Sequence, residues 1–285
     1  MGVAAVSIIS GLSYGMVLFL VATGLSLVLG LMGVVNLAHG VVFMTGAYIG
    51  IEVAKRTNFL VGVLAGMVAA LVLGVLIERG FLSKLYKREL DQILVTFGFI
   101  YIITNLHLWV YGSYPKSGLM PELLSRTVAI GGLNLAIYRI VVIGVGAVLC
   151  LALYWMQART RIGAVIRAGM DDPETVNSLG TNLVRFNILT FALGAILAGF
   201  AGVVGAPILG GVTTNVGEQI IFTVIAVCIV GGVGSVQGAL IGALLIGVIT
   251  SLTQAYLPQA AIYVPYVLMV VILIGRPLGL VGKRI

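Results

Sequence analysis

Long apolar runs divided by short polar breaks set the pattern of this chain. The runs cover Ala4–Leu31, Val41–Val53, Phe59–Ile77, Gln92–Tyr111, Ile137–Met156, Phe186–Pro207 and Glu218–Val230. Another resumes after Gly238 to about Leu252, and a last one spans Ile262–Gly275. Most approach the roughly 20 residues that a helix needs to cross the hydrocarbon core of a bilayer. None alternates apolar and polar residues as the strands of a membrane barrel do. The pattern predicts an all-α polytopic membrane protein, with about eight transmembrane helices (six to ten), some broken at glycine-rich points. Residues 1–285 read as a single transmembrane domain. Val41–Val53 is too short to span unless helix begins near Asn36, and Thr127–Ala136 reads as a hairpin about Gly131-Gly132.

One polar interval stands out, over residues 158–185. Four arginines punctuate it, Arg159, Arg161, Arg167 and Arg185, and positive charge at the ends of membrane helices marks the cytoplasmic side. Within it Asp172 reads as an N-cap, Pro173 as first helical residue, Glu174 as a first-turn acid and Gly180 as the stop. A helix of about two turns is too short to hold itself in water. It needs bracing by neighbours or by a partner, which makes this cytoplasmic segment the place where another protein acts on the chain.

Composition narrows the class further. The chain is 60% hydrophobic and 9% charged, against roughly 25% charged for a soluble domain. The net charge of +7 collects at run ends, so it speaks of topology and lipid headgroups and not of nucleic acid. Cys150 and Cys228 lie inside apolar runs as small buried hydrophobes, with no metal or disulfide implied. The first residues lack the basic region of a cleavable signal peptide and are expected to stay with the first span. Counting back from the basic loop at Lys84, Lys87 and Arg88 puts the N-terminus outside. Lys55 and Arg56 then also fall outside, against the charge rule, so either that loop is an exception or one of the first two segments does not fully cross. Lys283 and Arg284 place the C-terminus inside.

Glycine accounts for 39 residues, many of them four apart with other small residues: Gly46 and Gly50; Gly62 and Gly66; Gly194, Ala198, Gly202 and Ala206; Gly238 and Gly242. In lipid this spacing lets helix backbones pack closely. Gly231-Gly232-Val-Gly234-Ser235 interrupts a span, as a hinge or tight turn or as a broken helix at a transport path. Asn36 and His39 bind or gate, or else hydrogen-bond the backbone at a helix break. Glu218 fits a first-turn acid or the outer mouth of a path. Glu52, Glu78, Arg79, Asp91 and Arg139 fall near run ends and read as interfacial.

Catalytic signatures are absent: no metalloprotease helix, nucleophile elbow or phosphate-binding loop occurs. No catalytic residue or metal ligand is assigned. Any ATP must be bound by another chain, and no ladder of buried carboxylates suggests a proton relay.

Three stretches together resemble the membrane subunits of branched-chain amino acid ABC importers of the LivH type. They are Gly24–Gly40 continuing to Gly46-Ala-Tyr48, Thr160–Ala168 through Leu179-Gly180-Thr-Asn182 to Gly202, and Gly231–Ala239. The third departs in carrying Gln237 where many relatives have proline. The resemblance implies a bacterial inner-membrane permease with a second, related permease of the LivM type. It also implies two cytoplasmic ABC ATPase subunits that hold the ATP and Mg, a periplasmic substrate-binding protein, and membrane lipids around the bundle. The polar interval then resembles the family's coupling segment. Arg161, Arg167, Asp171, Asp172, Pro173, Glu174, Val176, Leu179 and Gly180 would engage an ATPase, Val176 and Leu179 through apolar contacts. Asn36, His39, Glu218, Gly231, Gly232, Gly234 and Ser235 would belong to the substrate path or its gate. Substrate stays open among leucine, isoleucine, valine, urea, short amides and aromatic acids. A stand-alone gradient-driven carrier or channel and an intramembrane enzyme are the other classes weighed.

Overall fold

The computed structural model describes residues 2–86, 88–130 and 133–281. The basic residue Lys87, the Gly131-Gly132 turn and the pair Lys283-Arg284 lie outside the described residues.

Eleven α-helices carry these residues: α1 (Gly2–Met32), α2 (His39–Arg56), α3 (Phe59–Gly80), α4 (Glu89–Tyr111), α5 (Ile137–Arg159), α6 (Arg161–Asp171), α7 (Pro173–Ser178), α8 (Leu183–Gly205), α9 (Val216–Gly231), α10 (Val236–Tyr256) and α11 (Val264–Gly275). Seven helical segments are long and apolar enough to cross a membrane, those of α1, α3, α4, α5, α8, α10 and α11. The shorter α2 and α9 bring the passes to nine among the described residues, within the six to ten expected. Two strands, β1 (Thr127–Ile130) and β2 (Leu133–Ala136), pair antiparallel from Thr127↔Ala136 to Ile130↔Leu133, so the hairpin reading holds for its strands.

The axis of the bundle is α1, of whose most apolar window 83% is buried. Small residues let its neighbours close on it. Gly24 meets Gly194 of α8, while Gly11 and Gly15 meet the backbone of α10. The same device joins α2 to α3 at Gly46·Gly66 and Gly50·Gly62, as glycine at four-residue spacing leads one to expect where lipid removes the hydrophobic drive. The outer helices turn apolar side chains outward. On α3, Leu60, Leu64, Val68, Val72 and Leu76 are all exposed, one every fourth residue and so along one helix face. Such a surface suits hydrocarbon.

The first fifty residues differ from a pair of full helical spans. After α1, Gly33 takes a left-handed φ of 61°, and residues 33–38 return alongside α1 without helix. Helix restarts at His39, whose Nε2 lies 3.2 Å from the Val21 carbonyl oxygen. That contact is eleven residues, or about 16 Å of helix, above the end of α1. Hence α2 begins inside the bundle and serves only as the second half of a crossing. Its far end carries Lys55 and Arg56 to the face that also holds Lys116, where Glu52 stands 3.2 Å from Arg56 and 4.0 Å from Lys116. Lys116 is also bridged to Val212 on that face.

Candidate functional site

The polar interval folds as two helices at the end of the bundle opposite Lys116. Thr160 caps α6 by accepting from the Gly163 amide at 3.2 Å. Gly163, Ile166 and Gly169 are buried at a spacing of three, while Arg161 and Arg167 are exposed, so α6 lies on the bundle by one narrow stripe. Asp172 then caps α7 as expected. Its Oδ1 accepts from the amides of Glu174 (3.1 Å) and Thr175 (3.0 Å), and its Oδ2 accepts from the Thr175 hydroxyl. These donors, the Thr175 hydroxyl first and its amide next, hold the Asp172 carboxyl below the usual aspartate range because they stabilise the charged form. Pro173 opens the helix, and Gly180, at φ 82°, ends the turn beyond Leu179.

Of the two apolar residues expected to meet a partner, only one faces outward. Val176 is buried against the chain's own fold, and Leu179 is 79% exposed. Asp171, Asp172, Pro173 and Glu174 share that exposed surface with Arg161 and Arg167. The result is a short capped helix with one exposed apolar group at its end and acids in its first turn.

The residues expected along a path do not converge. Asn36 is buried in the non-helical stretch, and neither atom of its side-chain amide has a hydrogen-bond partner among the described residues. His39, also buried, bonds the backbone of α1, which is the plainer of its two readings. Glu218 is exposed in the first turn of α9, at the opposite end of that helix from Gly231. The Gly231–Ser235 interruption is a tight turn between two antiparallel helices, with Gly232 at φ 100° and Gly234 at φ 81°. Ser235 caps α10 by accepting from the Gly238 amide at 3.0 Å.

Residues 7–275 match the family described as "Branched-chain amino acid transport system / permease component". The chain belongs to that family. It is 28% identical to the high-affinity branched-chain amino acid transport system permease protein LivH of Escherichia coli K12, over 96% of this chain and 94% of the relative. The corresponding permease protein BraD of Pseudomonas aeruginosa is 28% identical over 97% and 95%. The autoinducer 2 import system permease protein LsrC of Yersinia pestis is 27% identical over 84% and 67%. A solved chain of PsaBC from Streptococcus pneumoniae, in complex with Fab, superposes with a TM-score of 0.51 at 12% identity, covering 92% of this chain and 89% of that one; this speaks for the fold alone. The permease is thus a multi-pass inner-membrane protein and a transport component.

In the permease, the polar segment is keyed to the membrane helices at Gly234, through three residues that the sequence pattern does not single out, Ser26, Gln157 and Met170. The Gly234 amide donates to Ser26 Oγ of α1 at 2.8 Å, and Gln157 of α5 donates to the Gly234 carbonyl at 3.1 Å. The Met170 side chain of α6 packs where any Cβ on Gly30 or Gly234 would stand. One turn of backbone therefore touches α1, α5 and α6 at once. A signal for α6 was present in the sequence, Thr160 followed by an apolar stripe at 163, 166 and 169, but nothing local says what such a stripe rests on.

Proposed function

We propose that the chain is the membrane-spanning permease of an ATP-driven ABC importer for branched-chain or related amino acids. The substrate reading rests on relatives whose names specify branched-chain amino acid transport over nearly their whole length. LsrC, named for autoinducer 2 import, is a reminder that the scaffold serves other small solutes. ATP and Mg belong to two partner ATPase subunits, a second permease of the LivM type completes the membrane part, and a periplasmic binding protein delivers substrate. In this reading 158–185 is the cytoplasmic coupling segment of the single domain 1–285.

The observation that carries the coupling assignment is the capped helix α7, exposed on every side except Val176. A two-turn helix persists only when braced. Here bracing comes from below through Val176 and from its cap, and the exposed Leu179 is left to meet a groove on another protein. Motion of the ATPases then reaches α6, and through Met170 and Gln157 the turn at Gly234.

The test replaces Asp172 and Glu174 together with lysine. Membrane insertion is expected to persist, while recovery of the two ATPases on gentle purification and ATP-dependent uptake are both lost. Uptake at the unaltered rate in that variant sinks the coupling assignment. Uptake by the purified chain alone, without ATP, would overturn the importer reading in favour of a carrier.

A further inference from the structure

Two adjoining cavities lie at the Lys116 end of the bundle, away from the coupling segment. One, of about 360 Å³, runs between α1, α5 and α10, and Ser7, Ser10, Tyr14, Arg139, Ser251 and Gln254 line it. The other, of about 260 Å³, has mainly apolar walls, with Val216, Ile220 and Ile262 among them, and Gln219, Thr223 and Tyr266 as its polar points. Tyr14 and Thr250 line both and so form the seam between them. At the outer end of α5, a half-buried guanidinium with no protein partner has unused capacity to bind a carboxylate. Arg139 is such a group: among the described residues no ion pair or hydrogen bond engages it. Among the described residues no acidic side chain lines either cavity. The Thr250 hydroxyl on the seam is buried and also lacks a partner among the described residues.

We infer that these cavities form one bipartite site for a zwitterionic amino acid with an aliphatic side chain. The geometry gives each part of that solute a place. Its carboxylate meets Arg139, whose planar fork matches two carboxylate oxygens, with the Ser251 hydroxyl and Gln254 amide as further donors. Hydroxyl oxygens of Ser7, Ser10 and Tyr14 accept from its ammonium. The aliphatic side chain passes the Thr250 seam into the apolar cavity, where area removed from water favours it. This site rests on the importer reading for its direction, since it stands at the face opposite the coupling segment, where an incoming solute arrives. It shares no residue with Asn36, His39, Glu218 or the Gly231–Ser235 turn.

The experiment uses the complete transporter in lipid vesicles and reads two quantities. In the first, a Ser251→Cys variant is exposed to a membrane-impermeant thiol reagent. Saturating leucine is expected to slow labelling, and isoamylamine, which is leucine without its carboxylate, is not. In the second, Arg139→Gln is expected to raise the KM for leucine uptake roughly ten- to a hundredfold, the cost of losing a hydrogen bond to a charged group, with Arg139→Lys recovering part of it. Equal protection by leucine and the amine, or no protection by either, overturns the site. So does an assembled Arg139→Gln transporter with an unchanged KM. If Arg139→Gln does not assemble, the labelling result decides alone. Protection by leucine without ATP-dependent uptake in the unaltered protein leaves the site standing and removes the importer reading.

Discussion

At Gly40 an ideal Cβ would stand 2.0 Å from the Gly217 carbonyl oxygen and 2.9 Å from Cβ of Ile221, so α2 and α9 meet this closely only because the position is glycine. A methyl or larger group there forces backbone apart, and overpacking a tight contact costs about 1–3 kcal/mol or more. Gly98 in the middle of α4 is the control, because a Cβ there meets nothing within 4 Å. Gly40→Val is therefore expected to lower the unfolding temperature of the detergent-purified permease by several degrees, with Gly98→Ala neutral or slightly stabilising through helix propensity. Equal thermal unfolding for the two variants would show that the α2–α9 approach is not as drawn. In the sequence, Gly33 and Gly40 look alike, two glycines flanking Asn36 and His39. One supplies a left-handed φ and the other the absence of a side chain, a difference that no local pattern contains. Glu78 makes the same point for charge. At the end of an apolar run it reads as interfacial, yet it is buried and accepts from the Tyr86 hydroxyl at 2.6 Å, a partner eight residues away across a break.

Among the elements, α7 depends most on a single side chain. Asp172 is exposed, and its carboxyl titrates below the ordinary aspartate value because Thr175 and Glu174 donate to it. A carboxyl lowered on folding contributes stability that is complete above its unfolded pKa of about 3.9 and is lost as pH falls through the lower folded value. Hence α7 should keep its amide protection across neutral and mildly acidic pH and fray only below about pH 4. Hydrogen exchange at the Glu174 and Thr175 amides followed against pH checks this, and loss of protection already near pH 6 would assign the helix to some other titrating group. This element was legible from the chain because each part of its capping is local: Asp, Pro, Glu and Gly at fixed offsets. The spans themselves were legible because apolar length sets them, and Ile137 opens α5 as the pattern has it; α4 and α8 begin ahead of their apolar runs, at Glu89 and Leu183, because polar residues in the first turn extend the helix. The stretch from 33 to 38 was not legible, because whether chain returns as helix or extended backbone depends on what α1 and its neighbours shelter. Nor was Val176 facing inward, since a six-residue helix has too few positions to show a periodic face.

For the whole molecule, the sharpest consequence of nine passes concerns which face each basic group occupies. Arg161 and Arg167 lie on one end of the bundle, and Lys55, Arg56 and Lys116 lie on the other, so both ends carry positive charge. The charge rule weighs short loops by their Lys and Arg, and by it the arginine-rich interval takes the cytoplasm. The pair at 55 and 56 is outvoted, and Glu52 offsets it locally by pairing with Arg56 while standing near Lys116. Single cysteines at Leu179 and at Arg56 turn this into a measurement in intact cells. A membrane-impermeant thiol reagent is expected to label Arg56→Cys from the periplasmic side and to reach Leu179→Cys only after the inner membrane is opened. Both positions labelled from one side would require an even number of passes between them. That would remove one of the passes by α3, α4 and α5, and the proposed coupling segment could no longer be opposite the proposed amino-acid site. The predicted pattern instead sets the two sites on opposite faces of one α1-centred bundle, with α1 running between Ser7 at one end and the Ser26–Gly234 contact near the other. An importer driven from the cytoplasm and loaded from outside needs its working parts in that order.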